Sequence, residues 1–371
     1  MSPQAEVLLI AILAAAACAL PGCFLVLRRM ALVGDAISHV LLLGIVVAFM
    51  LVRSLASPWL VVGATLSGVL AVALVEALGR TRLVKEDAAL GLVFPALFSV
   101  AVILVSRHAG NVHLDVDAVL LGELAYAPER RTDILGFDVP QSLPVLLAVC
   151  GLNLAFIVGF YKELKLATFD APLAAAFGFL PALLHYGLVT LVSLTCVAAF
   201  DAVGSVLVVA LLIVPAATAY LLTDRLGVML ALSVLVGALG AACGFALGEL
   251  FDVNYAGAMA TALGVLFALT LALSPRRGLV AQWRRHRRQT REFAMAMLLV
   301  HLGTHEGTPE MADECRRDGL HEHLSWPREK VERALRDSER AGLTISRDGL
   351  EVLTNAGRAV ARETQADHGP G

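Results

Sequence analysis

Apolar blocks of about 20 residues recur along this chain, and they leave it few ways to fold. A helix rising about 1.5 Å per residue needs about 20 apolar residues to cross a hydrocarbon core about 30 Å thick. Hydrophobic residues form 58% of the 371 and charged ones only 16%. A polytopic membrane protein is expected, all-α because a helix satisfies every backbone polar group within its own segment. Nine stretches qualify: 5–27, 31–52, 59–79, 88–106, 143–160, 181–199, 204–222, 226–248 and 256–274. The first lacks the positively charged leader and small-residue cleavage site of a secretory signal, so a retained span is expected.

The positive charges orient these spans. With nine crossings and the N-terminus outside, Arg28 and Arg29, then Arg80, Arg82 and Lys85, then Lys162 and Lys165, then Arg225, then Arg276 and Arg277 share one side. The positive-inside rule makes that side the cytoplasm. Arg107, Arg130 and Arg131 fall outside, accompanied by Asp115, Asp117, Glu123, Glu129 and Asp133. An eight-span arrangement with the N-terminus inside is the alternative. LDVDAVLLGELAYAP, within 107–142, is too apolar for a solvated loop and too short to span, so a half-inserted or capping helix is expected there. The six cysteines have no CxxC spacing and read as small hydrophobes.

The stretch LRRMALVGDAISHV, residues 27–40, puts Asp35 and His39 four apart inside an apolar span. That spacing places both side chains on one helix face, where a carboxylate oxygen and an imidazole nitrogen can grip one divalent ion. A structural Asp–His hydrogen bond explains the pair equally well at this level. Two donors are too few for a first-row metal, which takes four or more, and two copies meeting on this helix would supply the rest. Active transport also needs a driving force. The lysines are Lys85, Lys162, Lys165 and Lys330, none followed by Ser or Thr as a Walker A loop requires. Glu76, Asp201 and Glu249 sit at span ends, unlike the buried acid chains of a proton-driven carrier. If the chain pumps, ATP is hydrolysed on another subunit.

Five segments, FLVLRRMALVGDAISHVLLLGIVVAF, TRLVKEDAALGLVF, YKELKLATFDAPLAAAFGF, VGSVLVVALLIVPAATAYLLTDRLG and AGAMATALGVLFALTLALSPRRGL, closely resemble the permease subunits of bacterial zinc, manganese and iron ABC importers. The match runs in order over about residues 5–280. The resemblance implies that Asp35 and His39, from the GDAISH motif, bind the transported metal at a permease dimer interface. It implies equally that Thr168, Phe169, Asp170, Ala171, Pro172, Leu173, Ala174, Ala175, Ala176, Phe177 and Gly178 form a coupling segment that docks in a groove of the ATPase. The residues agree locally: Asp170 is suited to cap a helix whose start holds Pro172. Many relatives carry Glu where FDAVGS has Asp201, so no role is assigned to that residue. Asp115, Asp117 and Glu123 would draw cations toward an entrance by their field, or are simply solvated acids, and His108 and His113 are equally ambiguous.

Beyond Pro275 the composition changes. QWRRHRRQTRE is strongly basic, and 281–290 is expected to be a juxtamembrane linker contacting anionic lipid. Residues 291–371 are soluble-like, with 11 Lys and Arg against 15 Asp and Glu, a net of −4. HLSWPREKVERALRDSERAGLTISRDGLEVLTNAGRAVAR has a helix opened by Pro327 and closed by Gly342, then a hairpin turning at Asp348 and Gly349. It resembles the winged-helix domain of diphtheria-toxin-repressor-like metalloregulators, over about 291–362. That resemblance offers Arg328, Arg333 and Arg336 as DNA contacts, although the acidic balance opposes phosphate binding. His301 and His305, with His321 and His323, have spacing able to hold a regulatory metal, or are scattered surface histidines.

The expected protein is thus an eight- or nine-span permease, residues 1–280, carrying a small cytoplasmic α+β winged-helix domain. It would sit in a bacterial inner membrane and import Mn2+, with Zn2+ or Fe2+ as alternatives, without a bound cofactor. Its partners would be a second permease copy or paralogue, a cytoplasmic ABC ATPase and an extracytoplasmic metal-binding protein, with nucleic acid open. A membrane-tethered transcriptional regulator is the competing reading. A membrane enzyme is disfavoured because no nucleophile and base constellation is present.

Overall fold

The structure, a computed structural model, describes residues 2–54, 57–108, 124, 127–134, 137–275 and 277–368. The chain divides into two compact units, Met1–Gly278 and Leu279–Gly371.

The first unit is a helical bundle. Its elements are α1 (Pro3–Leu27), α2 (Ala31–Val52), α3 (Trp59–Arg80), α4 (Glu86–His108), the hairpin β1 (Arg131–Ile134) and β2 (Phe137–Pro140), α5 (Ser142–Gly159), α6 (Tyr161–Phe169), α7 (Ala171–Ala176), α8 (Pro181–Leu222), α9 (Leu226–Phe251) and α10 (Tyr255–Leu273). Among the described residues, eight helices are long and apolar enough to cross a membrane: α1 to α5 and α8 to α10. α1 is the hub, packed on α5, α8 and α9. Its Ile10, Ala14, Cys18 and Phe24 are fully buried.

α8 reconciles eight helices with nine expected spans. Its 42 residues would extend about 63 Å if straight, twice a bilayer core. It breaks at Gly204, where φ is +77° and ψ 164°, a backbone state open essentially to glycine alone. Leu184 and Leu188 near its start and Ala216 and Ala219 near its end fall in one buried cluster with Phe24 in the last turn of α1. Asp201, beside the break, pairs with Arg130, whose neighbour Arg131 pairs with Glu6 in the first turn of α1. The helix therefore doubles back. The expected spans 181–199 and 204–222 are its two legs, and the described helices make nine legs.

Contacts between helices follow membrane logic, with small residues for close approach and buried polar groups as links. A side chain at Gly44 of α2 would collide with the Gly63 backbone of α3, and the reverse holds for Gly63. Asn153 of α5, fully buried, donates to the Ala17 carbonyl of α1 at 3.0 Å and to Thr195 Oγ1 of α8 at 2.9 Å.

The β1–β2 hairpin departs from the all-α expectation for this unit. Its antiparallel register pairs Arg131 with Pro140 and Ile134 with Phe137, and Arg131 donates to Asp138 at 3.1 Å. Four-residue strands carry too little alternation to stand out between apolar spans. Of the stretch LDVDAVLLGELAYAP only Leu124, Ala127 and Pro128 are described, so the half-inserted helix lies outside the described residues, as do Asp115, Asp117, Glu123 and His113.

The second unit comprises α11 (Leu279–His305), α12 (Met311–Glu314), α13 (Leu320–His323), α14 (Arg328–Arg340), β3 (Thr344–Arg347), β4 (Leu350–Leu353) and α15 (Asn355–His368). The basic stretch 281–290 lies inside α11 as continuous helix. α14 buries Val331, Ala334, Leu335 and Ser338, an i, i+3, i+4, i+7 stripe, against Leu298, Leu302 and Leu353. The β3–β4 turn places Asp348 at φ +52° and Gly349 at +78°. Positive φ at both positions is what a two-residue hairpin turn demands, and Asp-Gly supplies it.

Candidate functional site

Asp35 is the fifth residue of α2 and His39 the ninth, about 6 Å and 12 Å along the axis from Ala31. The structure brings them together, with His39 Nε2 3.6 Å from Asp35 Oδ1. The imidazole stacks on Phe94 of α4, ring centroids 5.9 Å apart, and meets Phe98 edge-on at 5.9 Å. These rings pack against the imidazole, and its Nε2 faces the carboxylate. The pair is not enclosed within the chain: 46% of the Asp35 side chain and 38% of the His39 side chain are exposed. Toward lipid, a bare charged side chain at such a depth costs about 2.5–3.5 kcal/mol on insertion scales.

The segment 168–178 is built from two short helices. Asp170 Oδ1 accepts from the Leu173 amide at 2.9 Å and caps α7, with Ala171 and Pro172 as its first two residues. Gly178, at φ +83°, ends it, as the Phe179 amide reaches back to the Ala174 carbonyl at 3.1 Å. Ala174 is buried, while Ala175, Ala176 and Leu173 are exposed. Phe169 and Phe177 are 63% and 68% exposed. With Lys162, Lys165, Leu166 and Phe179 they line an open groove of about 460 Å³.

Sequence reasoning missed a polar network beside this segment. Arg28, just past α1, donates Nε–H to Thr168 Oγ1 at 3.2 Å, and its Nη1 lies 3.2 Å from His185 Nδ1 of α8. His185 Nε2 is 2.5 Å from Glu76 Oε1 of α3, and Tyr186 donates its hydroxyl to Glu76 Oε2 at 2.8 Å. Glu76 was visible as an acid at a span end, but Tyr186 lies 110 residues away, beyond any local pattern. Asp201 pairs with Arg130 at 3.0 Å, at the opposite end of the bundle. His108 ends α4.

Arg328, Arg333 and Arg336 lie on α14 of the second unit, all exposed. Two are engaged: Arg328 donates to His321 Nε2 at 3.1 Å and Arg333 to Glu329 at 2.8 Å. Their face is shared with Glu329 and Glu332.

Residues 4–274 match the ABC 3 transport family. The chain is similar to the zinc transport system membrane protein TroD of Treponema pallidum (strain Nichols), 47% identical over 358 residues, which is 96% of this chain and 97% of that protein. It is also similar to the manganese transport system membrane protein MntD of Bacillus subtilis (strain 168), 44% identical over 283 residues, 76% of this chain and 96% of that protein. Among solved structures, a chain of PsaBC from Streptococcus pneumoniae in complex with Fab matches with a TM-score of 0.63 at 28% identity, over 75% of this chain and 94% of that one. A family match spanning nine legs, the Asp35–His39 pair and the 168–178 segment leaves one assignment: this multi-pass membrane protein belongs to the ABC 3 transport family.

Proposed function

We propose that the chain is the membrane permease of an ATP-driven importer of a divalent transition metal, with Asp35 and His39 as half of its metal site. The observation that carries this reading is the ionisable pair 3.6 Å apart on a membrane helix and open to a partner. One carboxylate and one imidazole leave a first-row ion short of donors, and the same pair from a second permease copy or paralogue completes four. Oxygen and nitrogen donors without thiolate suit Mn2+, Zn2+ or Fe2+. The names of the relatives, manganese in MntD and zinc in TroD, favour Mn2+ first and Zn2+ next.

The groove with Phe169 and Phe177 is the proposed ATPase contact. Exposed aromatics flanked by Lys162 and Lys165 suit a partner with an apolar slot and an acidic rim. Arg28, Arg80, Lys162, Lys165, Arg225 and Arg277 gather near that end, which is cytoplasmic by the positive-inside rule. An extracytoplasmic metal-binding protein would deliver the ion at the opposite end, and the membrane is a bacterial inner membrane.

The unit from Leu279 is proposed to be a cytoplasmic winged-helix domain, with α14 as the recognition-type helix and β3–β4 as the wing. Its net charge and the engagement of Arg328 and Arg333 favour action on the transporter or on a protein partner over DNA. The discriminating measurement for DNA is salt-titrated binding to its own promoter region beside a random duplex. Submicromolar sequence-selective binding at physiological salt would instead favour a tethered regulator that uses Arg328, Arg333 and Arg336.

The test of the transport site is metal uptake by permease and ATPase reconstituted in vesicles. Asp35→Ala and His39→Ala should each insert and assemble normally and lose uptake. Uptake near the parental rate with either substitution rejects the site.

A further inference from the structure

Three histidines of the second unit converge on one carboxylate, far from the transport pair in sequence. His301 and His305 stand four apart on α11, so their rings share a face, with centroids 4.9 Å apart. Glu314 closes α12 and His323 closes α13. Around Glu314 Oε2 lie His323 Nδ1 at 3.0 Å, His301 Nε2 at 3.5 Å and His305 Nε2 at 4.0 Å, and His301 Nε2 also lies 3.0 Å from the Glu314 carbonyl oxygen, a contact it must give up to bind an ion. One ligand atom from each of His301, His305 and Glu314 lies within 4.8 Å of the others. Donors held at about 2.0–2.1 Å by one tetrahedral ion stand about 3.3 Å apart, so His301 and His305, at 3.5 and 4.0 Å from Glu314 Oε2, need to close by less than an ångström onto that oxygen.

The surroundings favour an ion over a chance cluster. The His301, His305, Glu314 and His323 side chains are only 14–26% exposed, so they are largely withdrawn from water yet reachable. His305 turns Nδ1 toward Glu310 at 3.6 Å, which leaves Nε2 for a ligand and supplies the outer carboxylate that metal-bound imidazoles commonly have. His321, which the sequence grouped with these residues, stands apart: its Nδ1 is bound to the Asp318 carbonyl at 2.9 Å and its Nε2 to Arg328.

We infer that His301, His305 and Glu314 bind a divalent first-row transition ion, with His323 Nδ1 steadying the Glu314 carboxylate from outside. Such an ion ties α11 to α12. This site is separate from the transport pair and stands whether or not Asp35 and His39 carry cargo.

The test uses the full-length protein carrying Asp35→Ala and His39→Ala, titrated with Co2+ and then with Zn2+. One equivalent of Co2+ should bind with the visible absorption of a tetrahedral nitrogen and oxygen site, and Zn2+ should displace it. Adding His305→Ala or Glu314→Gln should weaken that binding by at least about tenfold. His321→Ala should leave it unchanged. Circular dichroism and the thermal midpoint without metal show whether each variant is folded. His301→Gln serves as a second probe should His305→Ala fail to fold. Absence of the Co2+ spectrum in the parental double variant, or its survival in a folded His305→Ala, Glu314→Gln or His301→Gln protein, overturns the site. Vesicle uptake separately reports the fate of the transport proposal.

Discussion

Arg28 reaches two elements beyond its own helix, and the cost of disturbing it sets a prediction. Its bonds to Thr168 and His185, with His185 and Tyr186 on Glu76, join α1, α3, α6 and α8 at one end of the bundle. Replacing one member leaves half-buried partners unsatisfied, at about 1–3 kcal/mol. Glu76→Gln should therefore lower the thermal midpoint of the detergent-solubilised protein by several degrees. A midpoint equal to the parent would mean that the network contributes nothing. In the second unit, hydrogen bonds from Arg358 hold the Glu306 carboxyl below the ordinary carboxylate range, and those from Arg317 do the same for Glu332. Burial pushes Glu351 the other way. A depressed acid contributes stability that is present above its unfolded value of about 4.3 and lost as the pH falls through the folded one. Glu351, being raised, costs stability as the pH rises through its folded value, so it partly offsets the other two. Around the Glu306–Arg358 and Glu332–Arg317 pairs, hydrogen exchange should quicken as the pH drops below about 4.3, after correction for intrinsic rates. Slower exchange in acid would contradict this balance.

At the scale of elements, the break in α8 and the α6–α7 pair decide geometry and docking. Gly204→Val forces a branched side chain into φ +77°, at about 1–3 kcal/mol, and also threatens the reversal of the helix. The variant should lose several degrees of thermal stability in detergent, and an unchanged midpoint would place the reversal elsewhere. Phe169 and Phe177 offer a different readout, because both are exposed and add little to the fold. Replacing both with Ser should leave stability near the parental value while abolishing co-purification with the ATPase and ATP-driven uptake. Normal co-purification and transport would reduce the segment to a connector.

For the whole molecule, the division at Gly278 and the reach of the relatives point the same way. The similarity to MntD covers 76% of this chain and nearly all of MntD, whereas that to TroD covers 96% of this chain. The second unit has its own apolar core, built from Leu298, Leu302, Leu320, Leu335 and Leu353. Truncation after Gly278 should leave a permease that still transports, with an altered response of uptake to cytoplasmic metal. Loss of insertion or of all uptake would show that the second unit is needed for the permease itself.

Periodicity, length and charge determined the membrane class of this chain, its apolar spans and the Asp35–His39 spacing, since each is a local property of neighbouring residues. Local chemistry also settled the Asp170 cap and the Asp348–Gly349 turn. Long-range placement was beyond such patterns. The Glu76–His185–Arg28 network joins residues from three distant helices, and the return of α8 toward Phe24 depends on which side chains pack around the Gly204 break. Tertiary structure also chose among the tail histidines, taking His301, His305 and His323 to Glu314 and leaving His321 with Arg328. Spacing alone treats those four rings alike. Only the folding of α12 and α13 against α11 sets which nitrogens share one oxygen.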